Sequence, residues 1–133
     1  MACRLASVAF LAPDYDSAIV WFCQALAFEL IEDSDLGAGK RWVVVAPDRT
    51  AGARFVIAKA ADARQLAAVG EAAGGRVAYF LETDDFTRDH QAFLQRGVKF
   101  LEAPRCETYG TVAVFADPFG NKWDLIEPAE RRP

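Results

Sequence analysis

The chain has 133 residues, of which 53% are hydrophobic and 26% are charged. This composition is typical of a globular protein and excludes a disordered or collagen-like chain. The length suits one domain of about 100–200 residues, so we expect a single domain over residues 1–133. Lys and Arg number 15 and Asp and Glu number 19, which gives a net charge of −4 and argues against a nucleic-acid-binding surface.

Membrane insertion and secretion are not expected either. No apolar run in the sequence approaches the roughly 20 residues that a membrane helix needs. The apolar stretch over residues 5–12 is a poor secretory signal. Three widely spaced cysteines, Cys3, Cys23 and Cys106, form no CxxC motif and suggest neither a disulfide framework nor a structural zinc site. We therefore expect free thiols and a cytoplasmic location.

The first half of the chain reads as a β-α-β-β-β module over about residues 5–60. Residues 5–12 form a predicted strand, and Asp14 or Asp16 is placed to cap the helix that follows. The apolar residues of that helix recur at helical spacing: Ala18, Ile19, Phe22, Cys23 and Leu26. The three further predicted strands cover residues 28–31, 41–46 and 54–60.

The second half repeats this order after a linker or short helix over about residues 61–75. Module two covers about residues 76–127. Its predicted strands are residues 77–81, 98–101, 111–115 and 122–126, and its predicted helix ends before Gly97. The letters repeat as well, because Val8-Ala9-Phe10 corresponds to Val77-Ala78-Tyr79 and Asp14-Tyr15 to Asp85-Phe86.

Two segments give the chain a family resemblance. They are residues 12–22 and residues 116–126, and the second contains Asp117-Pro118-Phe119-Gly120-Asn121 between two strands. With these segments the chain resembles the vicinal oxygen chelate superfamily of glyoxalase I, bleomycin-resistance proteins and extradiol dioxygenases. The resemblance implies an α+β fold of two βαβββ modules whose mixed sheets form cups. It also implies a homodimer and a ligand held in the concavity.

Metal-dependent members hold their ion with residues from the first and last strands of each module. The resemblance places the four ligand positions at Ser7, Ala58, Ala78 and Asp124, with Arg76 replacing Ala78 if the alignment slips by two residues. Only Asp124 is a plausible metal ligand, and a transition metal needs several converging donors. The single histidine, His90, falls in the second predicted helix, where we interpret it as solvent-facing or partly packed. We therefore expect neither a catalytic metal nor another cofactor.

Alternation along the strands predicts what lines the cups. The polar candidates are Ser7, Arg54, Arg76, Lys122 and Asp124. Their apolar neighbours are Ala9, Leu11, Val56, Ala58, Ala78 and Phe80, whereas bulky residues such as Val8, Phe10, Trp123 and Leu125 should pack under the helices. Three cations against one anion favour a ligand with a carboxylate, phosphate or phenolate. Alternatively, Arg76 pairs with Asp124, and Arg54 and Lys122 extend into water.

Two aromatic residues beside glycine-containing loops, Trp42 and Tyr109, are further candidates for ligand binding, because planar ligands stack on such rings. A core role is the favoured interpretation of Trp42. Cys106, between Arg105 and Glu107, is interpreted as an ordinary loop thiol.

The sequence thus favours a homodimeric protein that binds a small molecule in its cup without a catalytic metal. The sign of the ligand's charge stays open, because acidic resistance proteins of this kind bind cationic drugs. The alternative is a metal-dependent lyase, isomerase or dioxygenase of glyoxalase type with an atypical site, so enzymatic activity is open too. A third interpretation is a subunit whose cup is filled by its own side chains.

Overall fold

A computed structural model describes residues 2–130 and divides the chain into two compact units, the first ending at Val69 and the second beginning at Gly70. Each unit combines a mixed β-sheet with helices, which confirms the predicted α+β class. Within the described residues, no helix is both long enough and apolar enough to span a membrane.

The first unit follows the predicted element order. Its elements are β1 (Ser7–Ala12), α1 (Tyr15–Val20), a π-helical turn (Trp21–Ala25), β2 (Glu29–Gly37), β3 (Lys40–Ala46), β4 (Arg54–Lys59) and α2 (Ala63–Ala68). The strand order is β1-β4-β3-β2. β1 runs parallel to β4, and the other pairs are antiparallel.

The core of the first unit lies between the sheet and the α1 segment. Asp14 caps α1, because its Oδ1 accepts a hydrogen bond of 2.7 Å from the Ser17 N–H. The π-helical turn then places Phe22 with its ring centre 4.9 Å from that of Phe10. Both residues are fully buried. The opposite face of the sheet is not covered by this helix.

The second unit repeats the plan and adds one strand. Its elements are β5 (Val77–Glu82), α3 (Phe86–Gln95), β6 (Lys99–Phe100), β7 (Arg105–Glu107), β8 (Gly110–Ala116) and β9 (Lys122–Pro128). The order is β5-β9-β8-β6, and β7 pairs with β8. Again the outer pair β5–β9 is parallel, and the other pairs are antiparallel.

Side-chain alternation gives the second sheet a covered face and an open face. On the covered face, Phe115 contacts Phe93 of α3 and Trp123, with ring centres 5.7 and 5.6 Å apart. Trp123 and Leu125 are buried as predicted. Residues that alternate with these along the strands point to the opposite face of the sheet. We call that side the open face, and it includes Phe80, Val112, Val114, Lys122 and Asp124.

The turn between β8 and β9 is held by Asp117, which is buried. Its Oδ1 accepts hydrogen bonds from the backbone N–H groups of Phe119 and Asn121, at 2.9 and 3.0 Å. Its Oδ2 accepts from Asn121 Nδ2 and Trp123 Nε1, both at 3.0 Å. These hydrogen bonds to Asp117 explain the DPFGN sequence and connect the turn to the core.

Several predicted details are wrong. β2 extends through the polar residues 32–35 to Gly37, because it is an edge strand that water can reach. The predicted loop around Cys106 is the short strand β7, which is ordered by pairing with β8. By contrast, the segment over residues 61–75, predicted as a linker or a short helix, contains the short helix α2. Val8, expected to be packed, is 43% exposed because it lies near the beginning of β1.

Candidate functional site

Asp124 lies in the middle of β9 on the open face of the second sheet. Its register partners are Phe80 on β5 and Val114 on β8. The residue is half-buried, and its Oδ1 is shielded from solvent without any hydrogen-bond partner. A shielded carboxylate oxygen without a partner costs free energy. Asp124 is therefore a group that a ligand with a suitable donor could satisfy.

The surroundings of Asp124 shift its acidity. Burial raises the pKa of its carboxyl above the usual value, because the charged form loses hydration. The nearby positive charge of Arg105 acts in the opposite direction, and the negative charge of Glu102 raises the pKa further. The net direction is upward, so the protein environment disfavours the charge on Asp124.

Arg105 on β7 is held by two carboxylates. Its Nε lies 3.1 and 3.0 Å from the two carboxylate oxygens of Glu102, and its Nη1 lies 2.7 Å from Glu107 Oε1. A hydrogen bond with the Tyr109 side chain adds to these contacts, and together they raise the pKa of the guanidinium. Glu102 also accepts a 3.0 Å hydrogen bond from the Val114 N–H, which fixes it against β8. We call Glu102, Arg105 and Glu107 the Arg105 clamp.

The open face around Asp124 is acidic. The Arg105 clamp contributes one cation and two anions, and Asp124 adds a third carboxylate. Lys122 lies two residues before Asp124 on the same face and is exposed, about 7 Å along the strand. Even with Lys122 included, carboxylates outnumber cations on this face.

Arg76 does not contribute to the surroundings of Asp124. It precedes β5, is exposed, and donates its backbone N–H to the Ala73 carbonyl at 3.1 Å. The charges that act on Asp124 are those of Arg105 and Glu102. The alternative Arg76–Asp124 pair is therefore wrong, because the strand register places Phe80 rather than Arg76 beside Asp124.

Two aromatic residues border the same face. Phe80, the register partner of Asp124, is 67% exposed, and Tyr109, in the tight turn between β7 and β8, is 52% exposed. Tyr109 is joined to the Arg105 clamp by its hydrogen bond with Arg105. Asp124, Lys122 and Tyr109 are the predicted site residues that the structure places on or beside this face.

The other predicted site residues lie in the first unit. Ser7 and Arg54 are register partners on β1 and β4. Arg54 Nη2 donates a 2.8 Å hydrogen bond to the Arg49 carbonyl, so this guanidinium braces the loop before β4. Trp42 on β3 is 42% exposed, which makes the favoured core role wrong. Its register partner is Ser34, and it faces away from Phe10 and Phe22.

The first unit has its own charged cluster at the tip of the β2–β3 hairpin. Arg41 contacts Asp33 at 3.1 and 2.7 Å and Asp16 at 2.9 Å. Its guanidinium carbon lies 5.2 Å from the centre of the Tyr15 ring. A cleft of about 420 Å³ opens beside it. The contacts of Arg41 with Asp16 and the Tyr15 ring join the hairpin to α1.

The donors at the implied metal positions do not fit a transition metal. Ser7 and Ala58 offer at most one hydroxyl, and Ala78 lies at a β-bulge in β5 with no donor side chain. Across residues 2–130, no group of three or more His, Cys, Asp or Glu side chains could hold a metal ion. His90 lies on α3 between the rings of Phe86 and Phe100, at 5.2 and 4.4 Å. It is therefore a packed helix residue.

The Arg105 clamp is not among the predicted site residues. Arg105 and Glu107 flank Cys106 in a predicted loop, although their separation by one residue is the spacing of side chains on one face of a strand. The three-residue segment was too short to recognise by periodicity, and its strand conformation depends on pairing with β8.

Comparison with known proteins places this geometry in a family. The Glyoxalase/Bleomycin resistance protein/Dioxygenase superfamily profile matches residues 4–125. The chain belongs to this superfamily. An uncharacterised protein of Shewanella frigidimarina (strain NCIMB 400) is 43% identical over 127 residues, which cover 95% of this chain and 94% of the relative.

Solved structures of the superfamily agree in fold. UcmS2 superposes with a TM-score of 0.81 at 27% identity, covering 95% of this chain and 98% of UcmS2. TnmS3, an antibiotic binding protein from Streptomyces sp. CB03234, superposes with a TM-score of 0.70 at 26% identity, covering 97% and 99% of the two chains. The superfamily therefore includes antibiotic-binding relatives of similar structure.

Proposed function

We propose that this protein binds a small organic molecule on the open face of its second sheet and uses no catalytic metal to do so. The observation that carries the proposal is the shielded Oδ1 of Asp124, which has no hydrogen-bond partner. A ligand that donates a hydrogen bond to this carboxylate removes the cost of leaving it unsatisfied. Binding alone needs no further chemistry.

The neighbouring side chains support a binding role. Exposed Phe80 and Tyr109 offer ring faces beside one polar anchor, and small-molecule sites commonly combine apolar walls with few polar groups. TnmS3, an antibiotic binding protein, has the same fold at 26% identity. We extend that role to this chain as sequestration of a small molecule.

The donor chemistry disfavours the metal-dependent alternative. Beside Asp124, the nearest carboxylate is Glu102, whose oxygens are already used by Arg105 and by the Val114 N–H. Glu102 is therefore not available as a second metal ligand. Asp124 would be the one free carboxylate, whereas a transition metal needs several converging donors.

We also propose that the protein is a homodimer in the cytoplasm. The family resemblance supports the dimer, and exposed apolar residues such as Trp42 and Leu36 offer surface for association. The three free cysteines, Cys3, Cys23 and Cys106, suit a reducing compartment. Light scattering coupled to size-exclusion chromatography tests the dimer directly.

A thermal-shift screen tests the binding proposal. The panel contains antibiotics, aromatic amines, aromatic acids, S-substituted glutathiones, nickel and zinc. A ligand at about 100 times its Kd stabilises the folded protein by about 2.7 kcal/mol, which raises Tm by several degrees. We expect an organic hit with chelator-treated protein, and we expect Asp124→Asn to lose the shift while Asp48→Asn keeps it. A shift that requires both nickel and a glutathione derivative would favour the enzyme instead.

A further inference from the structure

The open face around Asp124 also indicates which chemical group it recognises, an inference that rests on the proposed function. Arg105 would be the natural partner of Asp124, but its Nε and Nη1 are directed to Glu102 and Glu107 at 2.7–3.1 Å. The nearest guanidinium is thus engaged, while Asp124 Oδ1 has no partner. The missing partner is a hydrogen-bond donor.

The charge of that donor follows from the surrounding groups. The charges that act on Asp124 are those of Arg105 and Glu102. Glu107 and Tyr109 contact Arg105, and Lys122 lies two residues before Asp124 on β9. Counting Asp124 itself, three carboxylates lie here against two cations. An anionic ligand group would be repelled here, whereas a cation would be attracted and would favour the ionised form of Asp124.

The aromatic residues define the rest of the ligand. Phe80 pairs in register with Asp124 and is 67% exposed, and Tyr109 is 52% exposed beside the Arg105 clamp. Aromatic faces attract both planar rings and cations. A ring carried one or two bonds from a charged nitrogen would contact Phe80 while its nitrogen reaches Asp124.

We propose that Asp124 and Phe80 form an ammonium subsite, which recognises a primary or secondary amine attached to an aromatic ring. The amine donates to the Asp124 carboxylate, and the ring stacks on Phe80. Within the Arg105 clamp, Arg105 is a positioning residue. It holds Glu102 and Glu107 near the amine, and these two carboxylates compensate its positive charge.

NMR titration with three matched probes tests the subsite: benzylamine, benzyl alcohol and benzoate, followed through the backbone amides of Phe80, Asp124 and Tyr109. We expect benzylamine to bind about tenfold more tightly than benzyl alcohol, the gain of one charge-assisted hydrogen bond, and benzoate to bind most weakly.

Three variants distinguish a loss of the subsite from a loss of folding. Asp124→Asn should remove the preference for benzylamine, and Phe80→Ser should weaken benzylamine and benzyl alcohol alike. Asp48→Asn, which makes the same change of charge in an exposed loop, should bind as the unchanged protein does. Equal affinities for the three probes at these amides would overturn the ammonium subsite but leave the proposed binding function standing. No perturbation by any probe would contradict both.

Discussion

Arg41 in the first unit and Arg105 in the second unit are each held between two carboxylates, but the two arrangements lie on different faces of their sheets. Arg41 in the first unit joins Asp33 and Asp16 on the side of the sheet where α1 packs. Arg105 in the second unit joins Glu102 and Glu107 beside the open face. Only the second has a further carboxylate nearby, Asp124, that lacks a partner. An arginine between two carboxylates therefore joins a hairpin to a helix in the first unit. In the second unit the same arrangement leaves Asp124 available to a ligand.

The loop between β8 and β9 corresponds to the loop between β3 and β4 in the first unit. Substitutions in these two loops give the largest expected difference in stability. Asp117→Ala removes the acceptor of four hydrogen bonds in a buried turn. It should lower the free energy of unfolding by about 3 kcal/mol. Asp48→Ala in the first unit removes acceptor contacts to Thr50 in an exposed loop and should cost less than about 1 kcal/mol. Urea unfolding followed by tryptophan fluorescence measures both, and equal losses would contradict the contrast.

Glycine substitutions sharpen the comparison at the hairpins. Gly110 has a φ of +148°, and an added Cβ would collide with the carbonyl oxygen of Glu127. Gly110→Ala should therefore destabilise the protein by about 2 kcal/mol or more. Gly39→Ala, at a φ of +79° with no atom within 4 Å of the added Cβ, should cost only about 1 kcal/mol. A smaller loss at Gly110 than at Gly39 would show that β8 and β9 do not approach each other so closely.

The arginines themselves can be exchanged for neutral residues. Arg105→Gln should raise the pKa of Asp124 further, because the positive charge that lowers it is removed. Arg41→Gln should leave the titration of Asp124 unchanged, since Arg41 acts on Asp33 and Asp16. Titration of the Asp124 side-chain carboxyl carbon by NMR measures this, and an equal response to both variants would remove the distinction between the two clamps.

The smallest effect is a pair of opposite pH dependences of stability. Arg41 lowers the pKa of Asp33 in the folded protein, so this carboxylate stabilises the fold above its unfolded pKa and the benefit is lost on acidification. Burial raises the pKa of Asp124, so its ionisation penalises the folded state. The penalty grows as the pH rises through the unfolded pKa and is complete above the folded pKa.

Amide variants measure these two contributions. Asp33→Asn should therefore destabilise the protein at pH 7 and have less effect near pH 3. Asp124→Asn should stabilise it at pH 7, by less than about 1 kcal/mol, and have less effect near pH 3. Thermal unfolding across this range checks both signs, and parallel profiles for the two variants would contradict the assigned causes.

Much of the fold could be predicted because local sequence agrees with it. The repeat of Val8-Ala9-Phe10 as Val77-Ala78-Tyr79, the capping residue Asp14 and the burial of Trp123 and Leu125 follow from alternation and helix chemistry. The DPFGN turn was recognisable, and the buried contacts of Asp117 supply its physical reason.

The surroundings of Asp124 could not be predicted in the same way. Asp124 itself follows from its place on the last strand, but Glu102 reaches it only because the segment before β7 bonds to the Val114 N–H. The β-bulge between Val77 and Tyr79 moves Ala78 out of register and leaves Arg76 outside β5. Such long-range pairing leaves no periodic pattern in the sequence, so Glu102 and Arg105 were not among the predicted site residues.

Calorimetric titration of chelator-treated protein with the best organic hit from the screen tests the central claim most directly. We predict that the unchanged protein and Asp48→Asn bind the compound with the same Kd, and that Asp124→Asn binds it at least about tenfold more weakly. Binding that appears only after nickel or zinc is added, or an Asp124→Asn variant that binds as tightly as the unchanged protein, would contradict the claim.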